Sequence, residues 1–189
     1  MSAQHRPYRI RGLRTWADGL TLARAIAGLP LIVFLLADHQ VMAWGLLLVA
    51  GLSDAADGWL ARRAGGGSSW GARLDPLADK ILIAAPLIWL ASREVLPLWA
   101  VWLLLARELL ISGWRSGVPS GGPASSAGKA KTILQFICLL MLLWPSIWGG
   151  SLFSQNLHRL GWWLFWPSLI LALSSAVNYI KPQSEPDPH

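Results

Sequence analysis

The chain reads as an all-α integral membrane protein of six transmembrane helices, and three observations lead there. Of its 189 residues 54% are hydrophobic and only 14% charged, with a mean hydropathy of +0.45, whereas a soluble domain carries about 25% charged residues. The apolar residues gather into six segments, each close to the ~20 residues a spanning helix needs. Thirteen Trp accompany a net charge of +6, the aromatic and basic signature of membrane interfaces. Disorder is excluded by the apolar content. The single Cys138 rules out an internal disulfide framework.

The segments follow in order. A basic stretch, Arg6–Trp16, interspersed with apolar residues, precedes the first, Leu20–Ala37. It suits a juxtamembrane segment (1–19) lying along an anionic inner leaflet. A cleaved signal peptide is disfavoured, because the apolar run is long for one and no A-x-A-like site follows. Segments two and three, Val41–Arg63 and Gly71–Ala91, are joined by Gly65-Gly66-Gly67-Ser68-Ser69, a turn of the kind that links antiparallel helices. Segment four is Val95–Trp114, and the uncharged, Ser/Gly/Pro-rich connection Ser116–Ala127 leads towards segment five, Thr132–Trp148. Segment six, Leu160–Ile180, carries no charge and reads as scaffold. The expected organisation is one six-helix domain over 20–180 and a disordered, Pro- and acid-rich tail over 181–189.

Charge sets the orientation. With the N-terminus inside, the cytoplasmic segments hold Arg6, Arg9, Arg11, Arg14, Arg62, Arg63, Arg73, Arg115, Lys129, Lys131 and Lys181, and the outer connections hold Arg93 and Arg159. This bias places both termini in the cytoplasm and makes the chain a multi-pass protein of the cell (inner or plasma) membrane. Basic residues sorted by topology form no continuous stripe, so no nucleic-acid partner is expected. The Trp residues divide into an outer group (Trp44, Trp89, Trp99, Trp102, Trp144, Trp148, Trp162, Trp163, Trp166) and an inner one (Trp16, Trp59, Trp70, Trp114), an aromatic belt.

The charges at membrane depth converge on the inner leaflet: Asp18, Arg24, Asp54, Asp57, Asp75, Asp79, Lys80, Arg107 and Glu108. Ionisable groups there are costly and mark a site. Asp54 and Asp57 are spaced i,i+3, and Asp75 and Asp79 i,i+4, so each pair shares a helix face. Four carboxylates so close need compensation, and hard oxygen ligands select Mg²⁺ or Mn²⁺. One or two such ions can neutralise a pyrophosphate. Gly58, Ala61 and Gly71 allow close approach of a ligand to the backbone, and Arg62 can pair with a phosphate. Helix caps and small-residue packing account for one or two of the Asp residues, not for four in this register.

Asp54-x2-Asp57-Gly58-x2-Ala61-Arg62-x8-Gly71-x3-Asp75-x3-Asp79 resembles, without departure, the pattern of the CDP-alcohol phosphatidyltransferase family. The resemblance implies a six-helix membrane enzyme, usually a homodimer, that displaces CMP from a CDP-alcohol with the hydroxyl of a second alcohol. It makes Asp54, Asp57, Asp75 and Asp79 ligands of two divalent ions, Asp79 also the general base, and Gly58, Ala61, Arg62 and Gly71 the CDP-binding surface. Thr21 and Arg24 match the family's first helix, Thr21 towards CDP and Arg24 towards the acceptor, whereas Asp18 stands where the family has a neutral Asn.

Leu74–Lys80 is similar to phosphatidylglycerophosphate synthases and to eukaryotic-type cardiolipin synthases. Ala106–Ser112 with Arg115, and Gly128–Thr132 with Gln135, are closer to the first group. Arg107 and Arg115 lie eight residues apart, on broadly one side of a helix. With Lys129 and Lys131 they suit an acceptor that carries a phosphate. The expected reaction joins CDP-diacylglycerol and sn-glycerol 3-phosphate on the cytoplasmic side of the bilayer. The rivals are other acceptors (phosphatidylglycerol, inositol phosphate, inositol or serine) and, from another class, an ion or proton transporter, since intramembrane carboxylates also line ion paths.

Overall fold

The computed structural model describes residue 23 and residues 26–64, 71–117 and 126–180. Side chains are described over the narrower stretches 26–53, 80–113 and 130–176, together with residue 23. All regular structure among these residues is α-helical: α1 over 26–36, α2 Gln40–Ala64, α3 Gly71–Ser92, α4 Leu98–Gly117, α5 Ser126–Leu142 and α6 Gly150–Ile180. The expected all-α class is therefore observed. The basic segment 1–19, the Gly65–Ser69 turn, most of the Ser116–Ala127 connection and the tail 181–189 lie outside the described residues.

The helices begin and end for local reasons. After α1, His39 N–H donates to Phe34 O (2.8 Å) and Asp38 N–H to Leu35 O (3.3 Å), with Asp38 at φ 59°. This is a Schellman stop, which closes the last carbonyls through one left-handed residue. The end of α3 repeats it, with Val95 N–H to Leu90 O, Glu94 N–H to Ala91 O (both 3.0 Å) and Glu94 at φ 59°. Pro97 then opens α4, its carbonyl accepting from Ala100 (3.0 Å) and Val101 (3.2 Å). Helix α6 starts at Gly150, well before the expected Leu160. Its polar first turns hold the turn that precedes them: Ser154 Oγ donates to Trp148 O (3.0 Å), and His158 Nε2 lies 3.0 Å from Trp144 O.

These turns make neighbouring helices antiparallel. Gln40 Oε1 accepts from Ser146 N–H (3.2 Å), so the α1–α2 and α5–α6 turns share one end of the bundle. Helices α5 and α6 pack closely, with a Cβ on Gly161 falling 2.9 Å from Met141 Cβ and 3.1 Å from the Leu142 backbone. Each buried stripe keeps helical spacing: Leu31 and Leu35; Ala43, Leu47 and Ala50; Leu87 and Leu90; Ala100 and Leu104; Leu139 and Leu142; Phe165, Leu169 and Ala172.

The Trp residues expected to form an outer aromatic belt are in part a packed knot. Trp44, Trp144 and Trp148 stand edge-to-face at 5.3–5.4 Å, with Phe153 against Trp144 at 6.0 Å. Trp44 Nε1 donates to Leu140 O (2.9 Å) and Trp144 Nε1 to Trp148 O (3.1 Å). These rings fasten α2 to the α5–α6 turn, so their indole N–H groups serve the protein interior. Among the described residues, no helix is long and apolar enough to cross a membrane. Arg107 and Glu108, for example, interrupt α4 midway.

Candidate functional site

At the end of the bundle opposite the aromatic knot, the buried stripes turn polar. On α4 the stripe Ala100–Leu104 continues one turn on to Arg107; on α5 Leu142–Leu139–Gln135 continues to Lys131; on α6 Phe165–Ala172 continues to Ser175. Helical periodicity alone therefore delivers one polar group from each helix to the same level of the core. Arg107 is 8% exposed and Lys131 5%.

Glu108 joins them. Its Oε1 accepts from Arg107 Nη1 (3.0 Å) and from Lys131 Nζ, with the carboxylate side chain only 14% exposed. Arg107 Nη2 donates to Ser175 Oγ at 2.5 Å, and the Ser175 hydroxyl donates to Ala172 O at 2.9 Å. Arg107 Nε is buried, with no hydrogen-bond partner among the described residues. Two cations thus gather at one oxygen of a largely buried carboxylate. A guanidinium and an ammonium held side by side in this way suit recognition of an anion such as a phosphate.

The carboxylate motif occupies the same end. Asp54, Asp57, Gly58, Ala61 and Arg62 all lie within α2, and Gly71, Asp75 and Asp79 within α3. Unbroken helix through both stretches keeps each Asp pair on one face. The level of α2 is set by a close approach: a Cβ on Gly51 would fall 2.1 Å from Phe136 Cζ on α5. From that contact, Lys131 is five residues along α5 and Asp54 and Asp57 are three and six residues along antiparallel α2. At 1.5 Å per residue these are shifts of about 7.5, 4.5 and 9 Å in the same direction. The Lys131 backbone thus stands level with the 54–57 stretch.

Of the expected site residues, the structure brings Arg107 and Lys131 together through Glu108. The side chains of the four Asp, of Ala61, Arg62, Arg115 and Lys129, and the whole of Thr21 and Arg24, lie outside the described residues. Among the described residues no group of three or more His, Cys, Asp or Glu could hold a metal ion. The donor set of the motif, hard carboxylate oxygens paired on two successive helices, fits Mg²⁺ or Mn²⁺. Sequence reading misses Ser175, because segment six, being uncharged, reads as scaffold. Its signal was the Ser174-Ser175 pair near the end of an apolar run, at the level to which the charges of the other segments converge.

Fold and motif together define an all-α protein with four aspartates on two successive helices and a buried cation pair at the same end. Residues 14–174 match the family model of the CDP-alcohol phosphatidyltransferases, and the chain belongs to that enzyme family. It is 34% identical to a probable phosphatidylglycerophosphate synthase of Mycobacterium tuberculosis, over 95% of this chain and 88% of that protein. It is also 34% identical to the CDP-diacylglycerol–glycerol-3-phosphate 3-phosphatidyltransferase of Escherichia coli K12, over 86% of this chain and 91% of that one. A cardiolipin synthase (CMP-forming) of Streptomyces coelicolor is 38% identical over 78% of this chain and 75% of its own length.

Proposed function

We propose that the chain transfers the phosphatidyl group of CDP-diacylglycerol to sn-glycerol 3-phosphate, forming phosphatidylglycerophosphate and releasing CMP. The observation that carries this reading is the complete eight-position motif in a chain whose relatives, matched over most of its length, bear that activity in their names.

In this reading Asp54, Asp57, Asp75 and Asp79 hold two divalent ions, Mg²⁺ or Mn²⁺. When bound, such ions neutralise the pyrophosphate. Gly58, Ala61, Arg62, Gly71 and Thr21 form the surface for the cytidine diphosphate. Arg107, Lys131, Arg115, Lys129 and Arg24 hold the phosphate of the acceptor. Asp79 takes the proton of the acceptor hydroxyl. That oxygen bonds to the phosphorus bearing diacylglycerol as the bridging P–O bond breaks, and CMP departs with the bridging oxygen and its electron pair. Holding the acceptor by its phosphate supplies the alignment such a displacement needs.

The helices cross the bilayer six times with the site towards the cytoplasm, as one domain over 20–180 that pairs into a homodimer. Supporting the membrane reading, large apolar side chains are exposed on every helix, among them Leu29, Met42, Ile88, Leu98, Trp102, Ile133, Leu152 and Trp163. Such a surface is unlike that of a soluble monomer. The likeness to a cardiolipin synthase favours a second reading, with phosphatidylglycerol as acceptor.

Purified protein in vesicles, given labelled CDP-diacylglycerol, Mg²⁺ or Mn²⁺, and each acceptor in turn, decides between them. Glycerol 3-phosphate should give CMP release and a phosphatidylglycerophosphate product, whereas product only with phosphatidylglycerol would establish the second reading. Asp57→Ala should abolish CMP release while the protein stays membrane-inserted, and full activity in that variant would refute the site assignment.

A further inference from the structure

Ser175 lies just past the stretch matched by the family model, on a helix that contributes nothing to the carboxylate motif. It is 6% exposed. Its hydroxyl proton is committed to Ala172 O in its own helix, so towards Arg107 its oxygen acts as an acceptor, at 2.5 Å. The guanidinium is therefore gripped from two directions. Glu108, its neighbour on α4, takes Nη1, and Ser175, on α6, takes Nη2. A guanidinium carries five donors in a fixed plane. Pinning both terminal nitrogens fixes that plane, and with it the direction of Nε–H, a buried donor with no partner among the described residues.

We infer that Ser175 is a positioning residue for the acceptor: through Arg107 it sets the plane of the guanidinium that receives the acceptor phosphate. The inference rests on the reading of Arg107 as an acceptor contact. Ser175 itself bonds Arg107 and its own helix, and need not touch the acceptor. A hydroxyl that merely tied α6 to α4 would affect stability and both substrates alike. A positioning hydroxyl affects the acceptor alone.

The test is steady-state kinetics of the full chain in vesicles of CDP-diacylglycerol, with glycerol 3-phosphate varied, for Ser175→Ala, Ser175→Thr and Arg107→Ala, each with its melting temperature in detergent. Losing a hydrogen bond to a charged group corresponds to about a tenfold change. Ser175→Ala should therefore raise KM for glycerol 3-phosphate about tenfold, with KM for CDP-diacylglycerol unchanged and kcat little altered. Ser175→Thr, which keeps the hydroxyl, should restore most of the loss. Equal changes in both KM values, or an alanine variant indistinguishable from the parent while Arg107→Ala raises the acceptor KM, would overturn the role of Ser175 alone. An Arg107→Ala variant with unchanged acceptor KM would overturn the underlying reading of Arg107 as well.

Discussion

Glu108 is the residue on which the polar cluster turns, because one of its oxygens accepts from both Arg107 and Lys131. Removing one member of a buried ion pair costs about 3–5 kcal/mol, since the charge left behind is neither solvated nor paired. Glu108→Ala takes the shared acceptor away from Arg107 and Lys131, so it should destabilise the protein by about that amount, measurable by chemical denaturation in detergent. Glu108→Gln keeps a carbonyl acceptor for both donors and should cost less; equal stability of the Ala variant and the parent would show the ion pairs to be energetically empty. The Arg107-Glu108 adjacency and the cation at Lys131 are plain in the sequence. Their meeting at one oxygen is not, because it depends on how α4 and α5 are rotated, which the core stripes Ala100–Leu104 and Gln135–Leu142 decide. Ser175 was hidden for the same reason: a neutral hydroxyl in an apolar run acquires meaning only from the guanidinium opposite.

At the level of elements, the separation of α2 and α5 is controlled by one glycine. Gly51 leaves room for the Phe136 ring, and a Cβ there would lie 2.1–2.9 Å from three ring atoms. Overpacking of this kind costs about 1–3 kcal/mol. Gly51→Val should lower thermal stability and, by shifting α2 along or away from α5, reduce activity, because Asp54 begins less than one turn beyond. Phe136→Ala in the same chain should recover part of both losses. Additive effects of the two changes would mean that the contact does not set the helix spacing, since residues in direct contact couple by about 0.5–3 kcal/mol. The helix order was legible from apolar segments and turn residues, and each helix overlaps its expected segment over most of its length. The early start of α6 was not, because its first turns, Gly150–Arg159, are polar and are held by hydrogen bonds to the preceding turn.

Across the whole molecule, the charges and the apolar surface make one joint statement about orientation. The aromatic knot, the Asp38 and Glu94 turns and the α5–α6 turn belong to one end, and the cation cluster and the carboxylate helices to the other. Between them stand exposed Leu29, Leu98 and Trp102, at 70%, 73% and 65% of full exposure, a surface that hydrocarbon would cover at no cost. In the proposed membrane reading, positive-inside charge predicts that the cluster end faces the cytoplasm. Thiol labelling reads this directly, because the single native thiol, Cys138, is buried and bonded to Gly161 O. A cysteine introduced as Glu94→Cys should react with a membrane-impermeant maleimide in intact spheroplasts, while one introduced as Ser116→Cys should react only after the membrane is opened. The reverse pattern would invert the protein and place its carboxylate motif on the wrong side for cytoplasmic glycerol 3-phosphate. Labelling of both sites from outside would mean that α4, the helix between them, does not span the membrane.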